Sequence, residues 1–176
     1  MLGPHLMSGL LAPVLRTGDA EVVWMSSGGM YGARLVSTPD AIESRTGAYQ
    51  GVQAYARTKR MQVVLASQWA EALAGTGIRV VSMHPGWAAT DSVTEHLPQF
   101  DRVMHRLFRD VEGGADTAVW LVATRPPSTA PHFWHDRRQR PGSLPWQRDP
   151  ARADVDAFVA YVEAATGVRV GASVGS

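Results

Sequence analysis

The strongest constraint on the fold is a long helical segment placed between two short apolar runs. Residues 51–74 contain no proline and no interior glycine, and their apolar positions recur every three, four or seven residues, as in a helix with one buried face. The runs at 21–25 and 78–83 are short, apolar and bounded by turn-forming residues, which is typical of buried strands. A strand, a helix and a second strand in this order predict that the two strands pair in parallel.

The rest of the chain continues this alternation. The remaining predicted elements are helices at 4–15, 114–123 and 151–165, a strand at 132–134, and loops at 31–51 and 137–150. We therefore expect an α/β fold in which a doubly wound parallel sheet of about three strands is flanked by helices. Three strands are few for this class, which indicates part of a larger fold.

The composition excludes several classes of protein. Of the 176 residues, 45% are hydrophobic and 19% are charged, as in ordinary globular chains, and a formal net charge of +1 predicts no nucleic-acid surface. The absence of cysteine excludes disulfide and thiolate chemistry and is compatible with a reducing compartment. No apolar run reaches the roughly 18 residues needed to span a bilayer. We expect a cytoplasmic globular protein with no membrane span.

A single lysine stands out among the cations. Sixteen of the seventeen basic residues are arginine, and the exception, Lys59, follows Tyr55 by four positions. Residues four apart share one face of a helix, and an ammonium beside a phenol favours the phenolate. This pairing predicts that Tyr55 is a general acid or base. Because Tyr-x-x-x-Lys also arises by chance in many helices, the prediction depends on the residues around it.

Polar and turn-forming residues follow both strands that flank this helix. Ser27 comes after the first strand, and Pro85-Gly86 comes after the second. The carboxyl ends of parallel strands share one edge of the sheet, and ligands bind at that edge. Tyr55 and Lys59 could face the same edge from the helix between the strands. The sequence therefore predicts one site formed by these positions.

In this order, the motifs resemble the C-terminal half of the short-chain dehydrogenase/reductase superfamily. Ser27, Tyr55-x-x-x-Lys59 and residues 85–90 (Pro-Gly-Trp-Ala-Ala-Thr) are similar to its catalytic serine, its Tyr-x-x-x-Lys and its Pro-Gly-x-x-x-Thr motifs. Finer agreement with the branch called dehydrogenase/reductase family member 12 lies at residues 26–31, 83–87 and 133–137. The resemblance covers nearly the whole chain. It implies the C-terminal half of a Rossmann-type sheet.

The resemblance implies hydride exchange between NAD or NADP and an alcohol or carbonyl substrate. Tyr55 would be the general acid or base, Lys59 would support it and hold the nicotinamide ribose, and Ser27 would orient the substrate oxygen. The residues expected at the cofactor are Tyr55, Lys59, Pro85, Gly86 and Thr90.

Two features of the family are missing from the chain. No Gly-rich turn stands between a first strand and a helix, where the family binds the dinucleotide pyrophosphate. The chain also contains no asparagine, the residue type of the family's fourth catalytic position. The resemblance thus implies that residues 1–176 are a single partial domain lacking the N-terminal dinucleotide-binding strands and the adenosine site. Without those strands, residues 22–25 are expected to leave an exposed apolar edge.

A catalytically inactive remnant is the alternative interpretation. Such a chain would act only as a packing or dimerisation module. In the family, the helices that match residues 4–15 and 51–74 commonly form the subunit interface, which predicts a possible homo-oligomer.

Several other side chains have both a functional and a structural interpretation. Ser26 competes with Ser27 for the serine role, and Ser27 is favoured. His132, His135 and Asp136 lack the spacing of a zinc site, so solvated loop residues are expected there and no metal is predicted.

The remaining candidates are aromatic or basic. Arg137, Arg138 and Arg140 are expected in an exposed loop. Trp69 is expected to serve packing, while Trp87 lines either a ligand pocket or the core. Residues 93–108 form either a substrate lid or ordinary packing.

Overall fold

The fold consists of one sheet with helices packed against it. The computed structural model describes residues 1–16, 18–86 and 109–172. In those ranges, helices α1–α5 are Leu2–Leu15, Pro39–Ile42, Gly51–Ala72, Val111–Thr124 and Arg152–Thr166, and strands β1–β4 are Ala20–Met25, Ile78–Met83, Phe133–His135 and Arg138–Arg140. A short 3-10 helix, Gly28–Gly32, follows β1.

The first three strands are parallel and lie in the order β1-β2-β3. β1 and β2 pair over their whole length, from Ala20 opposite Ile78 to Met25 opposite Met83. The long helix α3 is the crossover between them, as its place in the sequence predicts. The α/β class and the parallel pairing are therefore confirmed.

Helices cover both faces of the sheet, which confirms the doubly wound arrangement. Neighbouring side chains of a strand point to opposite faces. Val80 of β2 packs in a core with side chains of α1, α3 and α5, whereas the next residue, Val81, packs with Leu121 of α4. The alternation along β2 thus divides the interior into two layers.

The centre of the larger layer is Trp69 of α3, which is fully buried. Its indole Nε1–H donates to His5 Nδ1 at 3.0 Å, and His5 Nε2–H donates to the carbonyl of Val168 at 2.9 Å. One buried imidazole therefore joins α1, α3 and the segment after α5. The packing role predicted for Trp69 is confirmed.

The prediction of three strands and of a loop throughout 137–150 is wrong. Arg138–Arg140 forms β4, which pairs antiparallel with β3, His135 opposite Arg138 and Phe133 opposite Arg140. Asp136 and Arg137 both have left-handed backbone angles, φ 55° and 54°, and so form a tight two-residue hairpin turn. The polar composition indicated a loop, but the pairing is made by backbone groups.

Other predicted boundaries need smaller corrections. α4 begins before the predicted residue 114 because the Asp110 carboxylate caps it, accepting from the Gly113 amide at 2.8 Å. The predicted loop at 31–51 contains the four-residue α2. The third strand is shifted by one residue from 132–134 to Phe133–His135.

β1 lies at the end of the described sheet, with no described strand on its outer side. This confirms the edge predicted at residues 22–25. Met25 is 45% exposed, but Trp24 is buried against the larger core, so the prediction of exposure is wrong for that residue. Of the helices described, none is long and apolar enough to cross a membrane.

Candidate functional site

Ser27 lies at the point where β1 ends and the 3-10 helix begins. Its side-chain oxygen accepts a hydrogen bond from the Gly29 amide at 3.1 Å and so caps that helix. The competing Ser26 points elsewhere, because its hydroxyl donates to the backbone carbonyl of Lys59 at 2.9 Å. The two serines thus have different partners, and only Ser26 is bonded to α3.

Tyr55 and Lys59 occupy the first half of α3. The Tyr55 side chain is 51% exposed, and the Lys59 ammonium lies 5.6 Å from the centre of its ring. The same ammonium donates to the carbonyl of Met25, the last residue of β1, at 2.9 Å. Burial lowers the pKa of Lys59. The helix spacing therefore does place the ammonium beside the phenol ring.

Ser27 and Tyr55 approach each other across Gly29. A Cβ atom placed on Gly29 would lie 3.4 Å from Ser27 Oγ and 3.4 Å from Tyr55 Cε1. The backbone of this glycine therefore lies between the hydroxyl and the ring. Ser27, Tyr55 and Lys59 meet at the carboxyl end of β1.

Pro85 and Gly86 follow β2 at the same edge of the sheet. Gly86 has a left-handed φ of 86°, which favours glycine, and its amide donates to His84 Nδ1 at 3.3 Å. Thr90 and Trp87, the other predicted contacts in this segment, lie outside the described residues. So does the predicted lid at 93–108.

His84 is the residue that sequence reasoning missed. It is buried, and its ring stacks on that of His135 with the ring centres 4.6 Å apart. Burial is the main cause that lowers the pKa of His84 to about 4, and the neighbouring His135 and Arg109 add to it. The signal in the sequence was a histidine placed between a largely buried strand with several apolar residues and Pro85-Gly86.

The solvated-loop interpretation is wrong for His132 and His135, which are half-buried and bond to different groups: His132 Nδ1 lies 3.0 Å from Ser128 Oγ, and His135 Nδ1–H donates to the carbonyl of His84 at 3.0 Å. Asp136 does lie in the turn between β3 and β4, with a side chain that is 37% exposed. Where the chain is described, no cluster of three or more metal-ligating side chains occurs.

The arginines that follow have separate partners. Arg137 is exposed as predicted and pairs with the Asp116 carboxylate of α4, Nε to Oδ2 at 2.8 Å. Arg140 is half-buried and donates from Nε to the carbonyl of His135 at 3.3 Å. They support the hairpin and do not form one basic cluster.

Comparison with known proteins identifies relatives of this chain. No family model matches it. The Bos taurus protein named dehydrogenase/reductase SDR family member 12 is 39% identical over 152 residues, which are 84% of this chain and 46% of that protein. This chain is a relative of the short-chain dehydrogenase/reductase (SDR) superfamily. The Homo sapiens member 12 is 37% identical over 147 residues, 82% of this chain and 45% of its own length.

One further comparison agrees on the superfamily, and another agrees on the fold alone. The Bos taurus SDR family member 13 is 32% identical over 127 residues, 69% of this chain and 33% of that protein. A crystal structure of an uncharacterised protein from Mycobacterium paratuberculosis superimposes with a TM-score of 0.62 at 20% identity, covering 96% of this chain and 57% of that one. The chain spans about half the length of the member 12 proteins that it matches.

SDR proteins generally use NAD or NADP, and the described residues fit one end of such a cofactor. An ammonium has three N–H donors, and Lys59 gives one to Met25. No carboxylate of residues 1–16, 18–86 or 109–172 forms an ion pair with it. Two donors therefore remain for ribose hydroxyls beside the exposed Tyr55.

The adenosine end of such a cofactor has no counterpart among the described residues. The glycines after β1 form the 3-10 helix Gly28–Gly32, in which Met30 is buried, and the next helix is the four-residue α2. A dinucleotide pyrophosphate is ordinarily bound by a strand, a glycine-rich turn and a long helix in succession. The residues after β1 do not form that arrangement. The fit is limited to the nicotinamide ribose.

Proposed function

We propose that this chain carries the catalytic residues of an NAD- or NADP-dependent SDR oxidoreductase, which transfers hydride between nicotinamide and an alcohol or carbonyl substrate. The observation that carries the proposal is the meeting of Ser27, Tyr55 and Lys59 at one strand end. Tyr55 and Lys59 lie on one helix, and Ser27 lies at the end of a strand that precedes it by more than twenty residues. The relatives named above supply the reaction class.

Each side chain has a role that suits its position. The Tyr55 hydroxyl gives a proton to a carbonyl oxygen, or takes one from an alcohol, and its exposure lets a substrate reach it. The Ser27 side chain, across Gly29 from the ring, orients the substrate oxygen. The Lys59 ammonium, beside the Tyr55 ring, donates to ribose hydroxyls.

The cofactor contributes the redox chemistry, since a bound nicotinamide supplies or accepts the hydride. We assign its binding to Tyr55, Lys59, Pro85, Gly86 and Thr90. Pro85 and Gly86 follow β2, at the same edge as the Tyr55 site.

Titration of the chain with NADH and with NADPH, by isothermal calorimetry, tests the proposal first. Saturable binding of either nucleotide supports it, and no heat from both argues against an autonomous enzyme.

Replacing Tyr55 tests the proton-transfer role. Tyr55→Phe removes only the hydroxyl, so turnover of a carbonyl substrate should fall by roughly 10²–10⁴-fold. The melting temperature should not change, because the side chain is half exposed. Tyr49→Phe is the matched control, since Tyr49 is also exposed and lies outside the site. Equal activity of Tyr55→Phe and the wild type would remove Tyr55 from the mechanism.

A second candidate function is supported by α1. Its outer face exposes five large apolar side chains: Leu6, Met7, Leu10, Leu11 and Val14. Such a surface suits a chain that serves as a packing or dimerisation module through residues 4–15 and 51–74. Sedimentation equilibrium should then give a dimer that Leu10→Glu dissociates, with no nicotinamide binding in either form.

A further inference from the structure

His84 and His135, the histidine pair, are linked by more than the stacking of their rings. His135 Nδ1–H donates to the backbone carbonyl of His84, which joins the end of β3 to the end of β2. His135 Nε2 lies 3.3 Å from Asp136 Oδ2, and the same carboxylate pairs with Arg109. The pair is thus held by the sheet on one side and by an ion pair on the other.

On one side, the histidine pair contacts the turn that contains Gly86. His84 Nδ1 accepts the Gly86 amide hydrogen, which requires that this nitrogen carry no proton. The Arg109 side chain covers the same turn, since a Cβ atom on Gly86 would lie 2.8 Å from its Nε. The left-handed backbone at Gly86 is therefore fixed from two directions.

On the other side, the pair contacts the turn that follows Ser27. A Cβ atom on Gly28 would lie 2.8 Å from His84 Nε2, closer than a side chain is tolerated. The edge of the imidazole therefore rests directly against the Gly28 backbone. One ring bridges the serine turn and the Pro85-Gly86 turn.

The surroundings of the ring keep it neutral. Among the described residues, the charged groups that act on it are His135 and Arg109, which oppose its protonation, and Asp136, which favours it. Burial is the largest influence and also opposes protonation. His84 Nδ1 can therefore remain an acceptor for the Gly86 amide at neutral pH.

We propose that the histidine pair is a positioning unit that fixes the Gly28 turn and the Gly86 turn relative to each other. It rests on the proposed function, in which the first turn follows the substrate-orienting serine and the second contacts the nicotinamide. The unit would thereby set the spacing between substrate and cofactor without touching either of them.

Two glycines of the same 3-10 helix allow a matched test. Gly28→Ala places a methyl group against His84 Nε2, whereas Gly32→Ala meets only Ala56 at 4.0 Å. If the ring couples the two turns, Gly28→Ala weakens the bond from Gly86 to His84, although neither residue is altered. Amide hydrogen exchange measured by NMR should then be roughly fivefold to tenfold faster at Gly86. In Gly32→Ala it should change by less than twofold.

Variants of the pair itself provide a second measurement should Gly28→Ala fold poorly. His84→Asn keeps an acceptor for the amide two residues on, as in an Asx turn, and His84→Ala removes it. Protection of the Gly86 amide should survive in the first variant and be lost in the second.

His135→Phe keeps an aromatic ring but loses both polar contacts, and should raise the dissociation constant for NADH or NADPH roughly tenfold. His132→Asn, at the other end of β3, should not.

The outcomes separate this inference from the proposed function. If the wild-type chain binds neither nucleotide, the proposed function fails, and exchange at Gly86 alone decides whether the turns are coupled. If the wild type binds but His135→Phe and His132→Asn bind equally well, the positioning role is overturned. The positioning role would also be overturned if the Gly86 amide exchanged at the wild-type rate both in a folded Gly28→Ala variant and in His84→Ala. This measurement needs no cofactor.

Discussion

Charged side chains gather at both ends of the sheet and are used in opposite ways. At the amino ends of the strands, the Glu21 side chain is only 4% exposed and lies between two guanidinium groups, 3.0 Å from Arg79 Nε and 3.5 Å from Arg125 Nε. At the carboxyl ends, Lys59 meets a backbone carbonyl and a phenol ring and pairs with no described carboxylate.

The difference teaches which charges serve the fold. Burial acts against both charged forms, raising the pKa of Glu21 and lowering that of Lys59. Of the two, only Glu21 has counter-ions among the described residues that offset this cost. An uncompensated cation in a partly buried site is a common sign of ligand binding. The amino edge is thus structural, and the carboxyl edge is where we place the chemistry.

The largest expected effect is the acid sensitivity of the carboxyl edge. The pKa of His84 is about 4 in the folded chain and 6.5 is its ordinary value, so between these values the unfolded state binds the extra proton. The contribution of His84 to the free energy of unfolding is therefore complete above pH 6.5 and is lost as the pH falls to 4. The loss is on the order of 3 kcal/mol. Urea unfolding at pH 7, 6, 5 and 4 measures this loss.

His84→Asn should remove much of that pH dependence, because asparagine does not titrate. The pH dependence that remains in this variant comes from His5 and His132, whose pKa values are also lowered by burial. Glu21 acts in the opposite sense: its raised pKa means that its contribution is present below pH 4.5 and is lost as the pH rises. An unchanged slope of stability against pH in His84→Asn would place the acid sensitivity elsewhere.

The next effect concerns the amino edge. Arg79→Met removes the nearer partner of Glu21 and leaves its buried carboxylate with Arg125 alone. Removing one partner of a buried ion pair is strongly destabilising, and because Arg125 remains we expect a loss of about 2 kcal/mol in the free energy of unfolding. Arg152→Met is the control, since its pair with Asp156 is exposed on α5. Equal losses in the two variants would show that burial of Glu21 is not what matters.

Local patterns explain what the sequence could predict. The spacing of apolar residues found α3, the apolar runs found β1 and β2, and the ends of those runs marked Ser27 and Pro85. What was missed depends on backbone turns and strand pairing that residue types do not show. β4 exists because Asp136 and Arg137 turn the chain back onto β3, and neither residue type requires a left-handed backbone.

The role of His84 shows the same limit. Its meaning comes from His135, which is 51 positions away in sequence and adjacent only because β2 and β3 pair. No periodicity along the chain encodes that adjacency. Sequence spacing did place Tyr55 beside Lys59, because one helix contains both. Residues on one element were thus predictable, and those joined through the sheet were not.

The smallest expected effect on stability is the most informative about the site. Lys59→Met removes a cation that has no described counter-ion, so the free energy of unfolding should change by no more than about 0.5 kcal/mol, far less than in Arg79→Met. Affinity for NADH or NADPH should nevertheless fall at least roughly tenfold, because the donors to the ribose are lost. Lys59→Arg keeps the charge but not the compact ammonium, and should not restore binding. If Lys59→Met were instead as unstable as Arg79→Met, the two edges of the sheet would serve the same structural purpose.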